Sequence, residues 1–197
     1  IQRWRKESIN SKHPWLITMD EIGMWHTAAL PDSLDTQHLT LQRHALWGSL
    51  LAGAAGVEWY FGAKYPHNDL TSEDWRQRER LWQLTKIAKQ FFEQYLPFWQ
   101  MTPCSNDLFI QIDGYCANQA DNLYVLYLQN ANAVQMNSRY KDKQSTTYDI
   151  FWFDPTHAGK LTVGSKSQTT NDAEFDLGNP PKKSQSDWVV ILKKSKL

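Results

Sequence analysis

The chain is 197 residues long, with 21 Lys+Arg against 21 Asp+Glu and a formal net charge of zero. The signs also balance locally, 11 of each over residues 1–105 and 10 of each over 106–197, so the one-signed surface of a nucleic-acid binder or a polybasic membrane-surface protein is missing. No apolar run approaches the ~18 residues that span a bilayer. Hydrophobic residues make up 41%, enough for a core, and two cysteines are too few for a disulfide scaffold.

Aromatic content is the anomaly. Of 10 Trp, eight fall before residue 105. An indole either fills a core or offers a flat apolar face with a polar edge. The C–H faces of sugar rings stack on such surfaces, so the excess is a weak pointer to carbohydrate, with core packing the first reading of any single Trp.

In chain order, residues 1–14 are polar and basic with one Trp, and no charged-then-apolar leader is visible at Ile1. Residues 15–19 are an apolar run bounded by Pro14 and Gly23 and predict a buried strand. Leu39, Arg43, Leu46, Trp47 and Leu50 recur at helical spacing, predicting a helix over 36–52 that ends at Gly53 and Gly56. Residues 57–61, again between glycines, predict a second strand. The segment 71–96 predicts a helix with Thr71 or Ser72 as cap and Glu73 and Asp74 in its first turn. Its apolar stripe is Leu81, Leu84, Ala88, Phe91, Phe92 and Tyr95, and Pro97 stops it.

Beyond about residue 103 the period becomes strand-like. Residues 108–112, 123–128, 148–153, 161–163 and 187–192 are strand candidates separated by turn signals such as Asp113-Gly114 and Asp154-Pro155. Short strands at this spacing predict a β-sandwich. The order strand–helix–strand–helix in the first half predicts parallel strands. Two such units cannot close a (β/α)₈ barrel, which needs ~250 residues, so the first half reads as the end of a larger domain.

In parallel α/β folds the functional groups gather at the carboxyl ends of strands. Asp20-Glu21 ends the first strand and Glu58-Trp59-Tyr60 the second, so the two segments share one rim if the strands are neighbours. Paired carboxylates among aromatics suit glycoside cleavage, where one carboxylate captures an oxocarbenium-like centre and the other protonates the leaving oxygen. A strand-end carboxylate bonded to backbone N–H groups is the plainer alternative for Glu21. His26, just past Gly23, is the histidine best placed for a role, and His44 reads as structural. His67, Asp69, Glu73 and Asp74 form a polar cluster better explained by a capped helix start than by a metal. No phosphate loop, HExxH or GxSxG occurs. Cys104 and Cys116 are a potential disulfide if the protein enters an oxidising compartment.

Several stretches together resemble the carboxyl-terminal portion of a family of bacterial proteins named as glycoside hydrolases, in which a (β/α)₈ barrel precedes a β-sandwich catalogued as collagen-binding. The first-half matches are Trp15-Leu-Ile-Thr-Met-Asp-Glu-Ile-Gly23, Leu46-Trp-Gly-Ser-Leu-Leu-Ala-Gly-Ala-Ala-Gly-Val-Glu-Trp-Tyr-Phe-Gly62, Pro66-His-Asn-Asp-Leu-Thr-Ser-Glu-Asp-Trp-Arg76 and the stretch from Phe91-Phe92 to Leu96-Pro-Phe98. In the second half they are Phe151-Trp-Phe-Asp-Pro155, Gly159 and Asp187-Trp-Val-Val190.

The resemblance implies the last two βα units of the barrel over 1–100 and a β-sandwich over 104–197. It implies Glu21 as the nucleophile at the end of strand seven, Asp20 as its structural partner, and Glu58, Trp59, Tyr60 and His26 along the sugar subsite. It implies no cofactor and no metal. The acid/base carboxylate would come from strand four, outside this chain, which would then need the preceding barrel portion as its partner and be inactive alone. A secreted or periplasmic site is implied as well. The alternative is a non-catalytic carbohydrate- or matrix-binding protein with the barrel as scaffold. A collagen peptidase finds no metal or nucleophile motif here. Trp152 and Trp188 sit inside apolar runs and read as core rather than as a groove for Pro-rich collagen.

Overall fold

The structure is a computed structural model that describes the chain except residues 72–73, 105–112, 121, 132–134, 138–144, 172–173, 183–185 and 196–197. It divides into two compact units, Ile1–Leu96 and Pro97–Leu197.

The first unit opens with a helix, α1 (Gln2–Asn10), where the sequence reads only as polar and basic. Only Ser8 of α1 is buried, so no apolar stripe announces it, and an Arg3–Glu7 pair one turn apart (3.0 Å) decorates its surface. Strand β1 (Thr18–Met19) pairs in parallel with β2 (Gly56–Val57), Thr18 opposite Gly56 and Met19 opposite Val57. Backbone bonds from Ala55 N to Ile17 O and from Glu58 N to Met19 O, both 2.8 Å, extend the pairing at either end. The strand expected to be buried over 15–19 is shorter and barer than that. Trp15 and Leu16 are 68% and 86% exposed, because two strands cannot by themselves cover both faces of an apolar run.

The helix expected over 36–52 is found over Leu41–Gly48, wound with π geometry, and Ser49–Leu51. Here we call it α2. It buries Gln42, Ala45, Leu46 and Trp47, and the Trp47 ring meets Phe91 edge-on at 5.3 Å. Helix α3 (Glu79–Tyr95) follows a 3₁₀ turn (Trp75–Arg78) and buries Leu81, Leu84, Ala88 and Phe91 as its stripe predicts.

Its start differs from the expected one. Asp74, not Thr71, caps the 3₁₀ turn by accepting from Arg76 N at 3.1 Å, while Ser72 and Glu73 lie outside the described residues. The first turn of α3 is capped from a distance. The Asp32 carboxylate accepts from Arg80 N at 2.9 Å and with its other oxygen meets Nε2 of the fully buried His38 at 2.7 Å. Leu96 is extended (φ −122°, ψ 136°) ahead of Pro97, as proline demands of its predecessor.

The second unit carries a six-stranded antiparallel sheet in the order β3 (Thr102–Pro103), β4 (Gly114–Gln119), β5 (Leu123–Leu128), β10 (Trp188–Lys194), β7 (Thr147–Phe153), β8 (Gln168–Thr170). A separate antiparallel pair joins β6 (Gln135–Asn137) to β9 (Glu174–Asp176). Strands expected over 123–128, 148–153 and 187–192 are present as β5, β7 and β10. The one expected over 161–163 is a single bridge, Trp152 to Thr162. The one over 108–112 lies outside the described residues. Strand β4 has no apolar/polar alternation in sequence and pairs with β5 along its whole length.

Alternate residues of the central strands build the core. Tyr124, Leu126 and Leu128, Tyr148, Ile150 and Trp152, and Trp188, Val190 and Leu192 meet Phe175 and Leu177 from the β9 segment. Two layers sharing one core are compatible with a β-sandwich. The opposite face of the central strands is buried too, with Val125, Tyr127, Val189 and Ile191 at most 3% exposed. There the buried Asp187 accepts from Tyr127 Oη at 2.7 Å and Asn130 N at 3.0 Å. Cys104 and Cys116 form a disulfide, with Cα atoms 5.4 Å apart. Among the described residues no helix is long and apolar enough to cross a membrane.

Candidate functional site

Because β1 and β2 are parallel neighbours, their carboxyl ends lie on one side of the sheet, and the residues leaving both strands start from the same rim. Asp20 and Glu21 leave β1, and Glu58 leaves β2. All three are exposed. Glu21 is held at φ +49°, a region that side chains other than Gly, Asn and Asp seldom enter and that costs ~1–3 kcal/mol. Ile22 beside it is buried at 3% exposure. The apolar anchor of Ile22 and the strained turn of Glu21 together turn the carboxylate outward at the strand end.

The loop after Glu21 is tied to the loop after β2. Ala29 N donates to Tyr60 O (2.9 Å), and Ala63 N and Lys64 N both donate to His26 O (3.2 and 2.9 Å). The Tyr60 hydroxyl donates to the Trp25 carbonyl. Gly62 permits this approach, since a Cβ there would sit 2.6 Å from the His26 carbonyl oxygen and its φ is +71°. The structure therefore brings the His26 and Tyr60 segments together. The His26 ring is half-buried, with Nδ1 shut off from solvent and unpartnered among the described residues.

Trp59 is placed differently from its neighbours. It is 8% exposed and donates Nε1–H to Thr85 Oγ1 on α3 at 2.9 Å. Its indole packs between strand and helix as core.

Two residues here escape sequence reasoning. Arg78 lies in the run Arg76-Gln-Arg-Glu-Arg80, which reads as a solvated charged face, yet it is 1% exposed. It donates Nε–H to Ala29 O (2.8 Å) and Nη1–H to His67 O (2.7 Å), with its guanidinium 4.3 Å over the Phe61 ring. Burial lowers its pKa, against an upward pull from Asp69 and Asp32. Trp25, by contrast, is 74% exposed. No sequence signal separates these two from their neighbours.

Of the polar cluster around His67, Glu73 lies outside the described residues and the other carboxylates have local partners. Asp69 Oδ2 accepts from Phe61 N at 2.8 Å, and Asp74 is bound by Arg76, whose guanidinium holds its carboxyl below the usual range. Among the described residues no group of three or more potential metal ligands occurs.

Comparison with known proteins finds likeness to one family model and to solved structures. Residues 111–193 match a family model described as "Putative collagen-binding domain of a collagenase". Two solved structures align over 98% of the chain, each with a TM-score of 0.59. One is a glycoside hydrolase family 5 protein from Bacteroides vulgatus ATCC 8482 (13% identity, 44% of its own length covered). The other is described as a glycoside hydrolase (15% identity, 46% covered). The chain thus spans under half the length of these proteins, and at such identity the likeness is one of fold. No curated protein matches the chain. Each part of the resemblance stated from the sequence has a counterpart: a collagen-binding-type family model over residues 111–193 and a fold shared with proteins described as glycoside hydrolases.

Proposed function

We propose that the chain is the carboxyl-terminal part of a glycoside hydrolase acting on poly- or oligosaccharides, with residues 1–100 closing a (β/α)₈ barrel and 104–197 forming an accessory β-sandwich. Glu21 is the nucleophile. Glu58, Tyr60 and His26 border the sugar subsite, and Trp59 braces it from behind. The general acid is a carboxylate contributed by the preceding part of the barrel, so the chain alone does not cleave. A separation of ~5–5.5 Å between the two carboxyl groups makes the enzyme retaining.

The observation that carries this reading is the parallel β1–β2 register with Glu21 at the strand end in a strained, outward-turned conformation. Likeness in fold to two proteins described as glycoside hydrolases supports it. The disulfide fits a secreted or periplasmic site.

The test is reducing-sugar release from a polysaccharide panel by the full-length protein, wild type against Glu21→Gln. Loss of at least ~10³-fold, about 4 kcal/mol of transition-state stabilisation, identifies the nucleophile. Equal cleavage by both refutes its role.

The collagen-binding description of the matched family favours a second reading, a matrix- or carbohydrate-binding protein with the barrel as scaffold. Burial of Trp152 and Trp188 at 0% and 5% exposure removes two aromatic platforms such a surface would use. Absence of cleavage together with saturable binding of collagen or glycan by the full-length protein would make it the better reading.

A further inference from the structure

Trp25 combines a fixed backbone with an exposed side chain. Met24 O accepts from Thr27 N (3.0 Å) and Ala28 N (2.8 Å), closing a turn around it. Its own carbonyl is held by the Tyr60 hydroxyl, and the next carbonyl, His26 O, by two amides of the facing loop. The His26 ring stands edge-on to the indole with centroids 5.1 Å apart. The indole is nevertheless 74% exposed; Trp4, Trp15 and Trp75 of the same unit are exposed as well, at 56%, 68% and 60%, but Trp25 is the one in the loop that leaves Glu21. A large apolar face in water gains nothing for folding. A rigid aromatic with two torsions loses little freedom when a ligand covers it. Three residues, and so four peptide units, separate it from Glu21, a reach of at most ~14 Å, and the turn shortens that.

We propose that Trp25 is a sugar-stacking platform, its indole lying against the C–H face of a pyranose ring in the subsite adjoining Glu21, with the Tyr60 hydroxyl and the His26 backbone presetting its position. The proposal rests on the carbohydrate reading above and assigns a substrate-binding residue to it.

Binding is measured in full-length protein carrying Glu21→Gln, with the hexasaccharides of cellulose, β-mannan and xylan as probes. Trp25→Ala weakens the tightest of these at least tenfold, and Trp25→Phe, which keeps an aromatic face, by less than about threefold. Both variants keep the parent's melting temperature. In the active protein Trp25→Ala raises KM more than it lowers kcat. Acrylamide quenching of the free full-length protein, compared with Trp25→Phe, finds Trp25 accessible.

An inaccessible Trp25, covered by the rest of the protein, overturns the proposal. So does unchanged affinity in Trp25→Ala, or no saturable binding by any probe. The two readings fail separately. Glu21-dependent cleavage with an unaffected KM in Trp25→Ala removes the platform and leaves the hydrolase. Trp25-dependent binding without cleavage does the reverse.

Discussion

Arg78 is where a single substitution reports on the site without any assay of activity. Replacing it with Met keeps most of the stem and removes the fork. The Ala29 carbonyl belongs to a fully buried residue and loses its donor without access to water, at about 2–3 kcal/mol. The His67 carbonyl belongs to a half-buried residue and is partly rehydrated, which brings its loss to about 1 kcal/mol. The contact with Phe61 adds about 1–2 kcal/mol. Against this stands relief from burying a guanidinium that no side chain pairs at hydrogen-bond distance among the described residues, worth several kcal/mol in isolation but reduced by Asp69 and Asp32.

The net loss is about 2–3 kcal/mol, confined to the two tied loops. Amide hydrogen exchange in the full-length protein is the assay. The Ala29 and Lys64 amides, bonded to Tyr60 O and His26 O, should exchange about 30- to 140-fold faster at 1.4 kcal/mol per decade, while Ala88 in the middle of α3 stays protected. Arg78→Lys should do no better than Met, because one ammonium cannot serve two carbonyls in fixed directions and leaves its charge buried. Unchanged exchange at Ala29 and Lys64, a parallel rise at Ala88, or rescue by Lys would each refute the argument.

Two further outcomes concern the second unit. Replacing Cys104 and Cys116 together with Ser opens a cross-link spanning 12 residues and should lower stability by about 2–3 kcal/mol. A reducing agent should move the wild-type urea midpoint to that of the double variant and leave the variant unmoved. The Asp176 carboxyl is held below its ordinary 3.8 first by the Lys166 ammonium and then by Gly178 N–H. Its stabilising contribution is therefore present above the unfolded value and lost as pH falls through the lower folded one. With the Asp176 side chain 57% exposed, Asp176→Asn should cost only about 0.2–1 kcal/mol at pH 7, and the difference from wild type in urea unfolding should vanish as the pH falls below 3.8.

Where one face of an element is apolar, the sequence announces it. The stripe from Leu81 to Phe91 and the runs at 123–128 and 187–192 are examples, and each is found in place. Elements without such a face are silent. Helix α1 buries only Ser8, and β4 (Gly-Tyr-Cys-Ala-Asn-Gln) shows no alternation, although it pairs with β5 throughout. The run at 15–19 carries the hydrophobicity of a two-faced strand, yet Trp15 and Leu16 stay exposed in its unit. At the rim, the parallel adjacency of Glu21 and Glu58 follows from strand order, which periodicity reveals. The separate fates of Trp25, exposed, and Trp59, buried, follow from which way a loop turns. Periodicity is silent about that, and so is it about Arg78, whose neighbours in sequence are solvated while its guanidinium is folded under Phe61.

The place of β10 in its sheet has a consequence for how the second unit is made. The strand latest in sequence lies between β5 and β7, joining β3-β4-β5 on one side to β7-β8 on the other. Until residue 194 has left the ribosome those halves share no ladder, and both β5, buried along its whole length, and β7 present bare apolar edges. Synthesis from the amino end thus delays the closing contact until β10 itself emerges, across a separation of about 60 residues from β5. A nascent chain stalled just short of residue 188 is an aggregation-prone pair of half-sheets. Chaperone capture of this protein should accordingly peak at that stage of its translation.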